Sequence, residues 1–285
     1  MDNNNRNTTL IVIVLAIFSC CCIIMMTGGA LIGTAGWRLA QDFDDLAKFD
    51  ATNTFSQTFS VDTPAELEVD IAAGSVTVTV GEGNMIQVDT EIRAYDVSSE
   101  RAQEALDKVR YSATQSGSKV NVRGEWSNKT QWRARSPEIN VRVSVPRRTD
   151  IEVKVDVGKV HLQDVTGEID IETGVGRVDI ENVTVPDDFR IRTDVADMNF
   201  TGSLNEGSDY TFQSDVGAIK LTLPANSRFE LDASSDVGSV LVDFDIEGEI
   251  SRDFVGKSVK GVVGGESDTK VSVQTNVGAI LIRQQ

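Results

Sequence analysis

The sequence predicts an all-β fold, a parallel β-helix or solenoid built from coils of about 20 residues. Three observations lead to this prediction. One motif recurs through the second half of the chain, alternating apolar residues flank every copy of it, and the copies are almost evenly spaced. We expect two departures from strand structure, namely one inserted amphipathic helix and an N-terminal transmembrane helix.

The repeated motif is a bend between two short strands. Each copy has alternating apolar residues, then Asp, Asn or Gly, then Val and a small residue, then alternating apolar residues again. The six copies occupy residues 151–162, 169–180, 189–200, 210–221, 229–242 and 271–282. Period-two alternation on both sides of the bend predicts that one side chain per copy faces a common interior. These residues are Val153, Ile171, Ile191, Phe212, Leu231 and Val273.

Small residues follow the bend valine in every copy. They are Gly158, Gly176, Ala196, Gly217, Gly238 and Gly278. Glycine permits a positive φ and also lets successive backbones approach closely. Because Ala196 fills the third copy, small size is favoured over φ as the requirement at these structural corners.

The carboxylates at the bend have two interpretations. Asp194, Asp215 and Asp236 would lie one above another, about 4.8 Å apart, and could form a calcium ladder. Asp and Asn also form local side-chain turns without any ion. Because Gly174 and Asn276 interrupt the column, we expect a structural turn and no metal, with calcium as the weaker alternative.

The N-terminal segment predicts a membrane anchor. No charged side chain occurs between Asn7 and Trp37, and the run is long enough to cross a hydrocarbon core of about 30 Å. We therefore predict a short tail at 1–9, a transmembrane helix at 10–36 and a juxtamembrane linker at 37–56. The expected location is the cell membrane, single-pass, with the C-terminal domain outside the cytoplasm.

Other interpretations of this segment are weaker. A cleaved signal peptide would have a shorter apolar run, and the residues around Cys20 make a poor lipidation site. Gly29 and Gly33 form a small-xxx-small pattern, which is a candidate for pairing with a second transmembrane helix. A homo-oligomer is compatible with that pattern.

The remainder of the chain, 57–285, is predicted to be one adhesin-like β-solenoid. Residues 151–285 hold the regular repeats, and 57–150 form an irregular part with further strand patterns. Within it the apolar period changes to that of a helix over 98–111, with Ser98 or Ser99 as N-cap.

A basic, aromatic stretch is the best sequence candidate for a binding surface. Between residues 123 and 148 the charge balance reverses and tryptophans are interleaved with cations. The candidates are Trp126, Trp132, Arg133 and Arg135. Rings stack on apolar faces while guanidinium groups hold phosphate or carboxylate, which suits sugars, anionic wall polymers or lipid headgroups. The alternative is a connecting loop whose tryptophans pack on the core.

Composition excludes several functional classes. A formal net charge of −17 disfavours nucleic acid as a partner. The three cysteines all lie in the apolar segment, and His161 is the one histidine of the chain. There is no phosphate loop, nucleophile elbow or His/Cys cluster, so the sequence predicts neither an enzyme nor a cofactor.

The order of elements and the repeats, for example DVGKVHLQDVTGEIDIETGVGRVDI, resemble the bacterial putative-adhesin family over residues 57–285. The resemblance implies a β-helical domain of uncharacterised function and no catalytic residues. We therefore expect a membrane-anchored extracytoplasmic binding module whose partner is a surface polysaccharide, a wall polymer or another envelope protein. An envelope signalling or scaffold protein is the first alternative, and a carbohydrate-active β-helix enzyme is the second.

Overall fold

A computed structural model describes residues 49–126, 137–252 and 256–285. These residues form fifteen strands and one helix, α1 (Ser99–Leu106). The strands are β1 (Phe49–Ser60), β2 (Ala65–Val80), β3 (Met85–Asp96), β4 (Val109–Ser116), β5 (Lys119–Trp126), β6 (Glu138–Val145), β7 (Thr149–Gln163), β8 (Ile169–Glu181), β9 (Asp188–Thr201), β10 (Asp209–Val216), β11 (Ile219–Leu223), β12 (Phe229–Val242), β13 (Ile246–Arg252), β14 (Lys257–Val263) and β15 (Lys270–Gln284).

The long strands continue through the repeated motif and bend there. In β7 the side chains of Val153 and Val155 are buried before the bend, and those of Val160 and Leu162 are buried after it. The alternation of buried and exposed positions therefore changes phase at the bend. We call the part of each strand before the bend its first arm and the part after it its second arm.

Close backbone approach explains the small residue at the bend. Gly176 has φ +155°, and a Cβ built on it would lie 1.6 Å from the carbonyl oxygen of Gly158 on the neighbouring strand. A side chain is excluded there both by the backbone conformation and by the neighbour. Ala196 occupies the same position in β9 without a positive φ.

Neighbouring bent strands pair in parallel. Val153 lies opposite Ile171, which in turn lies opposite Ile191. The strand order is β1-β3-β6-β2-β7-β8-β9-β10-β15-β12-β14-β13, so the last strand is inserted between β10 and β12. Val273 consequently lies opposite Ala233 on β12, and Leu231 lies opposite Val271. Leu231 and Val273 are both buried, as the sequence copies predicted.

The predicted parallel β-helix is therefore wrong. The described residues form a single mixed sheet, with antiparallel pairs β1–β3 and β3–β6 at one end and β12–β14 and β13–β14 at the other. Strands β9, β10, β15 and β11 close a circuit of four parallel pairings. The repeat period could not reveal this arrangement, because it says which residues are alike and not which strands are neighbours.

The structure also corrects the helix and membrane predictions. Helix α1 has eight residues, begins after the N-cap Ser98, and gives way to β4 at Val109, so the predicted helix 98–111 is shorter than expected. Among the described residues no helix is long and apolar enough to cross a membrane. The single-pass membrane location is therefore not supported and is withdrawn; the segment 10–36, with Gly29 and Gly33, lies outside the described residues.

One continuous hydrophobic core fills the interior side of the sheet. Aromatic rings concentrate where β9 meets β10, with Phe189 packed against Phe212 at a centroid distance of 5.2 Å and against Phe200 at 5.4 Å. The opposite, outward side of the first arms carries the polar side chains that form the site described next.

Candidate ligand-binding groove

An open groove of about 1230 Å³ crosses the outward face of the first arms. It runs over β2, β7, β8, β9 and β10. Because paired strands lie about 4.8 Å apart, five strands give the groove a length of about 19 Å. The hairpin of β4 and β5 forms one wall, since both strands contribute lining residues.

The floor of the groove is a row of outward side chains, one from each strand. The row consists of Asp70, Lys154, Glu172, Arg192 and Gln213, which are neighbours in the parallel register. The sign of the charge alternates along its first four members, which replaces like-charge repulsion by attraction between adjacent strands. Among the described residues Arg192 makes no ion pair, so its guanidinium is available to a ligand.

Lys154 is held on one side of this row. Its ammonium group donates a hydrogen bond to Glu152 at 2.8 Å, and that bond is the chief reason why the pKa of Lys154 is raised. The lysine therefore stays charged over a wider pH range than a free lysine does.

A second row lies at the bend and contains three carboxylates of the described lining. Asp156, Asp194 and Asp215 line the groove together with Gly174, which interrupts the row on β8. Beyond the groove Asn276 follows on β15 and donates to Asp215 Oδ1 at 3.1 Å.

The column of Asp194, Asp215 and Asp236, on which the weaker calcium alternative depended, is not continuous in this arrangement. Asn276 stands between Asp215 and Asp236, because β15 lies between β10 and β12. Within the part of the chain that the structure describes, no three His, Cys, Asp or Glu side chains are arranged to hold a metal ion.

The wall is joined to the sheet by its backbone, because β5 pairs in parallel with β2 from Glu66↔Lys119 to Ile71↔Gly124. An aromatic and a charged side-chain contact add to this pairing. The hydroxyl of Thr90 donates to the Tyr111 hydroxyl oxygen at 2.9 Å, and the Tyr111 ring stacks on Phe55 at 4.9 Å. Burial raises the pKa of Tyr111, so its hydroxyl stays protonated. At the base of the wall Arg123 and Lys119 both bind Glu68, at 3.1 Å and 2.9 Å. Arg110, at the other end of the hairpin, has no carboxylate partner among the described residues.

A buried row of hydroxyl groups supports the bend from inside. It consists of Thr173, Thr193, Ser214, Thr275 and Ser235, each 1–6% exposed. Ser235 donates to the Gly278 carbonyl at 2.9 Å and Thr275 to the Gly217 carbonyl at 3.4 Å. These bonds satisfy carbonyl groups next to the bend, which would otherwise be costly in a buried place. Thr173 Oγ1 has no hydrogen-bond partner among the residues that the structure describes.

An apolar strip borders the carboxylate row. Six bend valines are 36–50% exposed and lie side by side in the parallel register. They are Val157, Val175, Val195, Val216, Val277 and Val237. The outward surface thus presents polar groups and an apolar strip along the same direction.

The structure places the sequence-predicted site residues in different regions. Trp126 ends β5 and is half-buried against the core. Trp132, Arg133 and Arg135 lie outside the described residues, so their binding role stays a prediction. The corner residues, from Gly158 to Gly278, lie at the bends, on the side of the carboxylate row away from the groove.

Sequence reasoning missed the groove itself. Its cations are far apart in the chain, on β4, β5, β7 and β9, and no local pattern links Arg110 to Arg192. The buried hydroxyl row did leave a signal, since Ser or Thr precedes the bend Asp, Asn or Gly in five copies. The recurrence of Ser or Thr indicates that the same small buried hydroxyl side chain is favoured at this position in each copy.

Comparisons with known proteins give remote similarities. No protein-family model matches the chain, and no curated protein matches it. A putative cell adhesion protein from Clostridium sporogenes is 14% identical, with 82% of this chain and 100% of that chain covered and a TM-score of 0.49. A putative adhesin from Bacteroides fragilis is 15% identical, with coverages of 81% and 97% and a TM-score of 0.42.

A third solved structure carries a different name. A putative lipid binding protein from Parabacteroides distasonis is 6% identical, with 82% of this chain and 97% of that chain covered and a TM-score of 0.24. The first two names agree with the resemblance to putative adhesins. Similarity at this level adds no argument about what the groove binds.

Proposed function

We propose that this chain is a non-catalytic binding module that holds an extended polysaccharide in the groove. The observation that carries the proposal is the shape and lining of the groove, which is open, about 19 Å long and polar along its floor. Sites for small molecules are instead concave, mostly apolar and about 300–1,000 Å³ in volume. A polymer that lies across several strands fits this groove better than a small metabolite does.

The charges in the groove favour a neutral or amino-bearing polysaccharide. The carboxylates of the lining are Asp70, Glu125, Asp156, Glu172, Asp194 and Asp215, and the cations are Arg110, Arg123, Lys154 and Arg192. Carboxylates therefore outnumber cations among the described lining residues, and the whole chain carries a net charge of −17. Both features repel an anionic wall polymer.

The two rows suit the chemistry of a sugar chain. Carboxylates accept hydrogen bonds from sugar hydroxyl groups, and guanidinium groups donate hydrogen bonds to them. The valine strip offers an apolar surface to the C–H faces of the sugar rings. Within the described part of the chain Arg110 and Arg192 make no ion pair, so we assign them the main polar contacts with the ligand.

Binding without catalysis is supported by the residues that surround the groove. Its described lining contains neither histidine nor cysteine. His161 lies on the second arm of β7, in register with Asp179 of β8 and away from the groove. The described carboxylates are distributed along the two rows and the β5 wall, and no pair of them is set apart from the rest as acid and base.

The experiment compares the binding of the full chain to three immobilised polysaccharides, one neutral, one amino-bearing and one anionic. The test variant combines Arg110→Ser with Arg192→Ser, and the matched control is Arg177→Ser on the second arm of β8. Charge-assisted hydrogen bonds contribute about 1.5–3 kcal/mol each, so we expect at least a tenfold loss of affinity in the double variant. Biolayer interferometry gives the affinities.

Two results would contradict the proposal. One is that wild type binds neither the neutral nor the amino-bearing polysaccharide. The other is that the double variant binds as tightly as wild type, or that Arg177→Ser weakens binding equally. Circular dichroism of each variant checks that the sheet is retained.

A further inference from the structure

The second arm of β12 is an open edge of the sheet. Strand β12 pairs with β15 along both arms, over Glu230 to Val242. On its other side β14 pairs with the first arm, from Phe229 to Ser235, and no described strand pairs with residues 237–242. Six residues of backbone are therefore paired on one side and open on the other.

The hydrogen-bonding pattern identifies the groups that face the open edge. The amide of Asp243 donates to the Ile282 carbonyl on β15 at 2.9 Å. The backbone amide and carbonyl groups of successive residues point to opposite sides of a strand, so those of Ser239 and Leu241 also point toward β15. The amide and carbonyl groups of Gly238, Val240 and Val242 must then point outward. Their spacing is that of one side of a β-ladder.

A lysine side chain forms a hydrogen bond with one of these outward carbonyl groups. Lys257 Nζ donates to the Val240 carbonyl at 2.5 Å, and it makes no ion pair with a described carboxylate. A lysine over an edge strand is a common device against uncontrolled strand pairing. Here it also fills the acceptor that an added strand would use, and a flexible side chain is easily displaced.

The other end of the sheet contains the same kind of arm in a paired state. The second arm of β2 is covered by β6, which pairs with it in parallel from Gly74↔Ile139 to Val80↔Val145. In β6 the residues Ile139, Val141, Val143 and Val145 are buried, and polar residues, including Arg142, alternate with them. Strand β6 thus shows which residue pattern allows a strand to pair with such an edge.

Charge decides between a second copy of this chain and a different partner. Exposed carboxylates bracket the open edge, with Asp236 before it and Asp243 and Asp245 after it. Two copies of a chain with a net charge of −17 repel each other, whereas a basic segment is attracted. The exposed side chain of Leu241 adds an apolar contact on the outward face.

We infer that the second arm of β12 binds an extended peptide segment of a partner protein as an added parallel strand. The segment has β-branched residues at alternating positions and basic or polar residues between them, as β6 has. On binding, peptide amide groups replace Lys257 at the Val240 carbonyl, and peptide carbonyls accept from Gly238, Val240 and Val242. This surface is separate from the groove, so the two proposals stand independently.

The test uses the full chain and a fluorescent synthetic peptide with the sequence of residues 138–145, EINVRVSV, measured by fluorescence anisotropy. The control peptide has N-methylated amides at the positions of Val141 and Val143. In β6 these positions face β2, because the Val145 carbonyl accepts from Gly81. The control keeps every side chain but loses the donors, so we expect its affinity to fall at least tenfold.

Two chain variants locate the binding at the edge. Val242→Pro removes an outward amide, and proline is tolerated on an edge strand, so we expect at least a tenfold loss of peptide binding with an unchanged sheet signal. Lys257→Met frees the Val240 carbonyl, so we expect tighter binding. If Val242→Pro fails to fold, the Lys257→Met result decides.

Three outcomes would overturn the inference. The first is equal binding of the N-methylated and unmodified peptides. The second is peptide affinity that neither chain variant alters. The third is a wild-type chain that sediments as a dimer which Val242→Pro dissociates, because a second copy would then occupy the edge.

Discussion

At the scale of single residues, contact with the backbone of the neighbouring strand determines which residue the bend can accept. The carbonyl oxygen of Gly158 occupies the space in which a Cβ of Gly176 would lie, at 1.6 Å. The demand for a small residue is thus a steric one imposed by the neighbouring strand. Ala196 shows that one copy meets the demand with a different backbone conformation.

Gly176→Ala should therefore destabilise the fold by roughly 3 kcal/mol, because both a positive φ and a backbone clash must be relieved. The matched change is Ala196→Gly. We expect it to lower the free energy of unfolding by about 1 kcal/mol, because glycine gives the unfolded chain more conformational freedom. Urea unfolding followed by circular dichroism measures both. Equal effects of the two substitutions would show that the close approach at Gly176 is not a constraint.

The buried hydroxyl row gives a second prediction at this scale. Thr173→Val removes a hydroxyl without a partner, and Val155 already occupies the same row on β7, so stability should stay the same or rise by about 1 kcal/mol. Ser235→Ala removes the buried hydrogen bond to the Gly278 carbonyl and should cost about 1–2 kcal/mol. Denaturant midpoints distinguish the pair, and a larger loss for Thr173→Val would contradict this account of the row.

Among elements, the β4–β5 hairpin is joined to β2 by two ion pairs in addition to the backbone ladder between β5 and β2. Glu68 on β2 accepts from Lys119 and Arg123 on β5. The pKa of Glu68 is lowered, chiefly by the hydrogen bond from Lys119. A lowered pKa means that the contribution to stability is complete at neutral pH and is lost as the pH falls below about 4.

Glu68→Gln should accordingly destabilise the chain at pH 7 by about 1 kcal/mol or less, as is typical of partly exposed ion pairs. The difference from wild type should shrink as the pH falls below about 4, where the wild-type carboxylate becomes protonated. Thermal unfolding across this pH range tests the sign, with Glu230→Gln as the control. A difference that grows toward acidic pH would be inconsistent with a lowered pKa.

Elements also show what the sequence could and could not predict. Alternation around the bend predicted the strands and the buried faces of β7, β8 and β9, because local spacing determines which side chains share a face. The insertion of β15 between β10 and β12 was not predictable, since it depends on long-range pairing. The groove depends on the same pairing, which brings Arg110 and Arg192 to one surface.

For the whole molecule, the sheet provides two separate outward features. The groove crosses the first arms of β2 to β10 beside the β4–β5 wall, and the open edge lies on the second arm of β12. Both features follow from the bent strands, because the groove is lined by first arms and the open edge belongs to a second arm. The proposed polymer ligand and the proposed peptide strand would therefore occupy different surfaces of the same sheet.

Hydrogen–deuterium exchange of the full chain with and without its bound polysaccharide tests the central claim most directly. We predict slower exchange in β4, in β5 and at the bends of β7, β8 and β9, where the groove is lined. Exchange in the second arm of β12 should not change, which serves as an internal control. Protection confined to other parts of the sheet, with none in the hairpin or at these bends, would contradict the assignment of the groove as the ligand site.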